Sequence, residues 1–275
     1  MAKQFRLFPV SQSAILSEEM PISSSLEHLM MFFGSYLDKD KEDASLEIEA
    51  RIGTIVSRET QQRVSLPITT EAIISKSYPS NFLSTLTEGQ FKNIVYFLSS
   101  KIPSENHVKS VTRDMIHRGG RITLSNDDNP QTLACISKDN KNNIDMTCHA
   151  LPFDIRFSAA FEVEKDPNIV ITTPIEYERG KIRDSFFLPN MRIDATQTHH
   201  RCLSKFRDWE TTEVLPTDLP EFEQSFEIEI EITPMSELKK EYALFKNKQP
   251  NKYESIISSF VSNAKILASL RQPKI

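Results

Sequence analysis

Three carboxylates alternate with apolar residues in SFEIEIEIT (225–233): Glu227, Glu229 and Glu231 lie between Phe226, Ile228, Ile230 and Ile232. That period is the mark of a half-buried strand, so the glutamates share one face. Second neighbours on a strand are about 6.7 Å apart. At an effective dielectric of about 20, each adjacent pair repels by about 2.5 kcal/mol before water and salt reduce it. Water, basic side chains or a metal ion must offset this cost. SLEIEARIGTIV (45–56) repeats the pattern, with Glu47, Glu49 and Arg51 opposite Leu46, Ile48, Ala50 and Ile52. Neither acidic run contains a lysine among its carboxylates, although mixed sign is the usual way to make an outer face comfortable.

Basic residues alternate in the same way on other strands. FDIRFSAAFEVE (153–164) sets Arg156, Ser158 and Glu162 opposite Ile155, Phe157 and Phe161. GKIRDS contributes Lys181, Arg183 and Ser185, and MRIDATQT contributes Arg192, Asp194 and Thr196. GRITLS carries Arg121, and TLACISK ends at Lys138. Any one of these faces reads as the solvated side of an ordinary sheet. As a set they place acids and bases on different strands, and closing the sheet into a barrel would turn all of them inward. The apolar outside would then need helices as cover. An acidic wall facing a basic wall suits a chain of phosphates carrying a divalent metal. Carboxylate oxygens are hard ligands for Mg²⁺ or Mn²⁺, and Arg and Lys grip phosphate oxygens and stabilise charge that moves in phosphoryl transfer.

The elements needed to hold such residues can be read along the chain. The 275 residues are enough for a large core, and a net charge of −5 argues against a broad non-specific nucleic-acid surface but not against a small basic pocket. Residues 1 to about 20 show no period and are expected to be an arm. SSSLEHLMMFFGSYL (23–37) and EGQFKNIVYFLSSKI (88–102) have helical spacing. From Val111 to Thr233 the expectation is a meander of strands: 111–117, 120–125, 132–138, 144–150, 153–164, 180–188, 191–198 and 225–233. Helical periodicity returns in 235–245 and 253–270. The implied organisation is an arm and short helix (1–44), a β catalytic domain (45–235) and helices packed on it (236–275), together one α+β domain. Six glycines with no GxxxxGK or GxGxxG leave no backbone cradle for phosphate, so side chains must hold it. Three cysteines without a CxxC pair read as reduced thiols. No signal-like run, membrane-length segment or Asn-x-Ser/Thr sequon occurs, which favours the cytosol or nucleus. His199, His200 and Cys202 are zinc-ligand types without a fourth partner at sensible spacing.

In this order and spacing the residues resemble the metal-dependent RNA 5′-triphosphatases of fungal and protozoan type, within the triphosphate tunnel metalloenzyme superfamily. The family's Glu-x-Glu-x-(Lys/Arg)-x-Gly strand is matched by Glu47, Glu49, Arg51 and Gly53, and its Glu-x-Glu-x-Glu strand by Glu227, Glu229 and Glu231. Between them, RFSAAFE supplies Arg156, Ser158 and Glu162, KIR supplies Lys181 and Arg183, and IDAT supplies Asp194 and Thr196. Arg121 and Lys138 resemble basic residues of the tunnel floor. The resemblance spans about 46–233 and implies a closed eight-stranded antiparallel barrel with a polar, charged lumen. The implied activity is removal of the γ-phosphate from triphosphate-ended RNA before capping, with a metal-dependent NTPase side activity. It further implies that Glu47, Glu49 and Glu231 bind Mg²⁺ or Mn²⁺, with Glu227, Glu229 and Arg51 in support. Arg121, Lys138, Lys181 and Arg183 would hold phosphates, and Glu162 would position or activate water. Asp194 and Thr196 would brace the floor, with Arg156 beside them. A separate guanylyltransferase, a homodimer and a nuclear location follow from the same resemblance, and no membrane partner does. No Trp-rich docking peptide accompanies it, since the one tryptophan, Trp209, lies in a charged loop. Alternative readings are an inorganic or organic triphosphatase of the same superfamily, or a phosphate- or RNA-binding module without turnover.

Overall fold

The structure is a computed structural model that describes residues 24–39, 41, 43–172, 174–202 and 222–271. The expected N-terminal arm and Trp209 lie outside the described residues. Helix α1 (Ser24–Leu37) leads into strand β1 (Ala44–Ser57). Two short strands, β2 (Ala72–Ile74) and β3 (Ser80–Leu83), and helix α2 (Glu88–Lys101) follow. Strands β4 (His107–His117), β5 (Gly120–Ser125), β6 (Thr132–Thr147) and β7 (Asp154–Glu164) come next, then a single turn of helix, α3 (Pro167–Val170). The chain continues as β8 (Ile175–Leu188), β9 (Met191–Cys202), β10 (Glu223–Ile232), α4 (Met235–Lys246) and α5 (Tyr253–Ala268).

Eight strands close on themselves in the order β1-β7-β6-β5-β4-β8-β9-β10, the last pairing back to β1, and every pair is antiparallel. Closure removes the sheet edges and gives each strand an inner and an outer face. β2 and β3 are accessory strands on β6 and β1. Where β3 crosses β1, a side chain at Gly53 would meet the Leu83 carbonyl oxygen at 2.2 Å, so glycine is required there. This gives a packing reason for the glycine in the Glu-x-Glu-x-Arg-x-Gly run.

The apolar core lies outside the barrel. Ile48, Ile52, Phe157, Phe161, Ile193, Ile228 and Ile230 point outward and are buried beneath α1, α2 and α5. Helix α1 buries Leu29, Met30, Phe33 and Tyr36, and α5 buries Ile257, Phe260, Val261, Ala264 and Leu267, each a stripe at helical spacing. Phe33, Phe157 and Phe260 meet edge to face, with centroids 5.8–6.4 Å apart. Each such side chain contributes about 1.5–3 kcal/mol of transfer free energy. Thr87 starts α2 through a reciprocal capping box with Gln90. Because apolar packing is satisfied on the outside, the inner face is free to be charged. Cys135 and Cys148 are buried thiols, and among the described residues no helix is long and apolar enough to cross a membrane.

Candidate active site

Strand β10 puts Glu227, Glu229 and Glu231 on the inner face, and its register with β1 sets Glu231 beside Glu49 and Glu229 beside Arg51. Across β1, Ser45 pairs with Glu162 of β7, which pairs in turn with Lys138 of β6. Glu47, Glu49, Arg51, Glu227, Glu229, Glu231, Glu162 and Lys138 share a cavity of about 360 Å³ with Arg121, Thr123, Asp114, Thr112, Ser110, Arg179, Lys181, Arg183, Arg192, Asp194 and Thr196. Among the described residues every side chain of the lining is charged or a small hydroxyl, and none is aromatic or aliphatic. Of the charged residues singled out in the sequence for the site, Arg156 is the exception. It shares the inner face of β7, but it forms a bidentate pair with Asp145 at 2.7 Å, packs 4.7 Å from the Phe82 ring, and does not line the cavity.

The repulsion within the acidic runs is offset by basic side chains reaching over from neighbouring strands. Arg51 contacts Glu229 at 2.6 Å, Arg192 donates to Glu231 at 2.5 Å, and Lys138 donates to Glu47. Compensation is uneven. The buried Oε1 of Glu49 accepts no hydrogen bond, and its nearest cations are Arg51 Nε at 3.3 Å and Lys141 Nζ at 3.8 Å. Burial raises the Glu49 carboxyl above the usual range against the pull of Arg51, and Glu229 and Glu47 push it further. Glu231 is pushed up to about 7 by burial, with Arg192 opposing and Glu47, Asp194 and Glu162 reinforcing. Glu229 is half-buried, and loss of solvent works against its charge too, yet Arg51, Arg183 and Lys181 hold it below the usual range.

The opposite wall is arranged around two acids. Asp114, fully buried, sits 2.5 Å from Lys181 Nζ and accepts from the Thr123 hydroxyl at 2.8 Å. Burial favours its neutral form, but Lys181 and Arg121 outweigh that and lower its pKa. Lys181 is itself lowered by burial, with Asp114 opposing and Arg121 reinforcing. Asp194 accepts from the Ser185 hydroxyl at 2.7 Å and from Arg192 at 3.1 Å, and lies 3.3 Å from Arg183. Arg183 donates to the Thr196 hydroxyl at 3.2 Å. Glu162 lies between the walls, 3.6 Å from Lys138 and 3.8 Å from Arg121. Burial works against the charge on Lys138, but Glu47, Glu49 and Glu162 raise its pKa.

Asp114, Arg179 and Arg192 were not assigned roles from sequence. Asp114 was legible as the inner-face partner of Thr112 within VTRDMIH. Arg179 lies in phase with Lys181 and Arg183 once β8 is extended back to Ile175. Arg192 was in phase with Asp194 and Thr196, and its ion pair with Glu231 marks it as part of the site.

Carboxylates on β1 and β10 are the donor type a hard divalent cation takes, and the unpartnered Glu49 oxygen and the raised Glu231 carboxyl mark negative charge that the arginines do not fully neutralise. The residues therefore fit a divalent ion. Among the described residues no three acidic, histidine or cysteine side chains are already gathered to hold one, because Glu47 and Glu231 are each turned toward a cation. His199 and His200 are likewise engaged, with Gln197 at 3.0 Å and Glu223 at 3.4 Å.

Comparison with known proteins agrees with this geometry. The chain is 30% identical over 175 residues to the Yarrowia lipolytica mRNA-capping enzyme subunit beta, covering 58% of this chain and 44% of that protein. Against the Schizosaccharomyces pombe mRNA-capping enzyme subunit beta it is 28% identical over 170 residues, covering 56% and 55%. The chain thus spans about half the length of the curated relatives it matches. The solved structure of the S. pombe Pct1 RNA triphosphatase superposes with a TM-score of 0.73 at 21% identity, covering 91% of this chain and 95% of that one, which establishes the tunnel fold. The sequence model described as mRNA capping enzyme, beta chain, matches residues 20–272, and the chain belongs to that family.

Proposed function

We propose that this chain is an RNA 5′-triphosphatase of mRNA capping, which hydrolyses triphosphate-ended RNA to diphosphate-ended RNA and phosphate. One observation carries the reading: a bore of about 360 Å³ within the closed barrel, lined among the described residues only by charged and hydroxyl side chains, acidic on β1 and β10 and cationic on β5, β8 and β9. Such a lumen can desolvate a polyphosphate only by replacing its water with these groups. The family membership and the names of its relatives support the RNA substrate.

Glu47, Glu49 and Glu231 are the residues that would hold Mg²⁺ or Mn²⁺. A bound divalent ion supplies neutralisation of phosphate charge and a template for in-line attack. Lys181, Arg183, Arg121 and Lys138 would hold the non-bridging oxygens and stabilise charge as the bond to the β-phosphate breaks. Asp114 and Asp194 keep Lys181 and Arg183 in place. Glu162 accepts a proton from the attacking water while the new P–O bond forms and the diphosphate end of the RNA departs with the bonding pair. Arg51 and Arg192 fix Glu229 and Glu231 on the acidic wall. A separate guanylyltransferase as partner, a homodimer and a nuclear location accompany this reading by family.

The test is phosphate release from triphosphate-ended RNA, nucleoside triphosphates and inorganic tripolyphosphate, side by side, with and without Mn²⁺ or Mg²⁺. Metal-dependent release with the highest kcat/KM on RNA is expected. Preference for tripolyphosphate would favour a small-molecule triphosphatase, and tight binding without turnover would leave a phosphate-binding module.

A further inference from the structure

Among the described residues the bore offers no surface for a base or a ribose, yet the polyphosphate it is built for ends in a nucleoside. The inner face of β8 carries Tyr177, Arg179, Lys181, Arg183, Ser185 and Phe187 in alternation. All but the two aromatics lie in the cavity or brace it. Phe187 stands on this inner face at the end of the strand and is 41% exposed, whereas its neighbour Phe186 is turned outward and fully buried, stacked on His107. Phe187 is in register with Arg192, the arginine that holds Glu231. On β4, Val108 is in register with Ser185 and has the same phase as Ser110 and Thr112 of the lining; it is 51% exposed. An aromatic and a branched aliphatic side chain, at diagonal positions on paired strands, are therefore left partly exposed at one mouth, continuous with the cationic wall.

We infer that Phe187, with Val108 beside it, is the platform on which the first nucleoside of the RNA rests while its phosphates occupy the bore. The inference rests on the triphosphatase reading given above. Phe187 lies four positions beyond Arg183, about 13 Å of strand, which is the order of length of an extended triphosphate and its ribose. Aromatic stacking accepts any base, so it suits an enzyme that must act on transcripts whatever their first nucleotide. Tyr177, at the opposite end of β8 in register with Cys202 and equally exposed, is the alternative platform.

Steady-state kinetics of the full chain and of Phe187→Ala, Phe187→Trp and Tyr177→Ala, each checked for an unchanged melting temperature, test this with two substrates. One is a triphosphate-ended RNA oligonucleotide and the other inorganic tripolyphosphate, which has no base. Phe187→Ala is expected to raise KM for the RNA about fivefold and to leave tripolyphosphate unchanged, with Phe187→Trp restoring the RNA value. Equal effects on both substrates, no effect on either, or an RNA-selective loss in Tyr177→Ala alone would overturn the platform. Absence of turnover of both substrates by the unmodified chain would instead overturn the triphosphatase reading on which the platform rests.

Discussion

Glu229 and Glu231 are two residues apart on the same strand, point into the same bore and each touch one arginine, yet their carboxyls are shifted in opposite directions. Glu229 meets Arg51 at 2.6 Å and also feels Arg183 and Lys181 of β8, which hold its carboxyl below the usual range in spite of burial. Glu231 meets Arg192 at 2.5 Å, but Glu47, Asp194 and Glu162 surround it and add to the effect of burial, so it is lifted to about 7. The difference comes from the charges that the surrounding strands bring to each residue rather than from the strand that carries both. Glu229 works as a strut whose charge the protein has already balanced. Glu231 belongs to a cluster with surplus negative charge, the kind of place where a divalent cation is taken up.

The largest effect expected from this contrast is on turnover. Glu231→Gln keeps the shape but removes a charge the ion needs, and metal-dependent phosphate release should fall at least about 100-fold; a variant with full activity at limiting Mn²⁺ would contradict the assignment. Next is the stability of the strut. Glu229→Gln leaves Arg51 with only the loosely aligned Glu49, and partial exposure moderates the loss to about 2 kcal/mol, or about 4–8 °C in Tm. An unchanged melting curve would show that the pair contributes nothing.

A smaller effect has the opposite sign. The folded-state pKa of Glu231 lies above its ordinary value, so the native protein binds that proton more tightly than the unfolded chain does. Stability is therefore lost as pH rises from about 4.5 to 7, and the penalty stays constant above that. In chelator at pH 8, Glu231→Gln should raise Tm by about 2–4 °C, and the gain should vanish below about pH 4.5. Thermal melts across that range would show it, and destabilisation at pH 8 would refute the surplus-charge picture. The smallest change is expected on the cationic wall. Thr123→Val removes one hydrogen bond to Asp114, which keeps Lys181, at a cost of about 1 kcal/mol readable by urea denaturation. A cost several times larger would mean that the Lys181 pair does not compensate Asp114.

Side-chain parity made most of the barrel legible, because a period of two both defines a strand and sorts its residues between lumen and core. The acidic runs, Lys181 with Arg183, and Asp194 with Thr196 all declare their inward face through the apolar residues between them. Strand ends declared themselves less well. Beginning β8 at Gly180 hid Arg179, since a glycine after charged residues looks like a turn. DNKNN (139–143) reads as a loop between two strands, but β6 runs through it with a register shift between Asp139 and Asn142, because β7 offers continuous partners on both sides. The short strands β2 and β3 have too few residues for a period to show. Arg156 had the right phase for the lumen, and no sequence pattern could reveal that Asp145, its register partner on β6, would hold it outside the cavity.

The account depends most on a divalent ion seating itself against the acidic wall near Glu231. Anomalous diffraction from crystals soaked in Mn²⁺ and a non-hydrolysable triphosphate analogue tests that directly. The expected result is a manganese peak among Glu47, Glu49 and Glu231, with Lys138 and Arg192 released from the carboxylates. A bore that binds the analogue while Glu47 stays on Lys138, Glu231 stays on Arg192 and no manganese appears between them would contradict it.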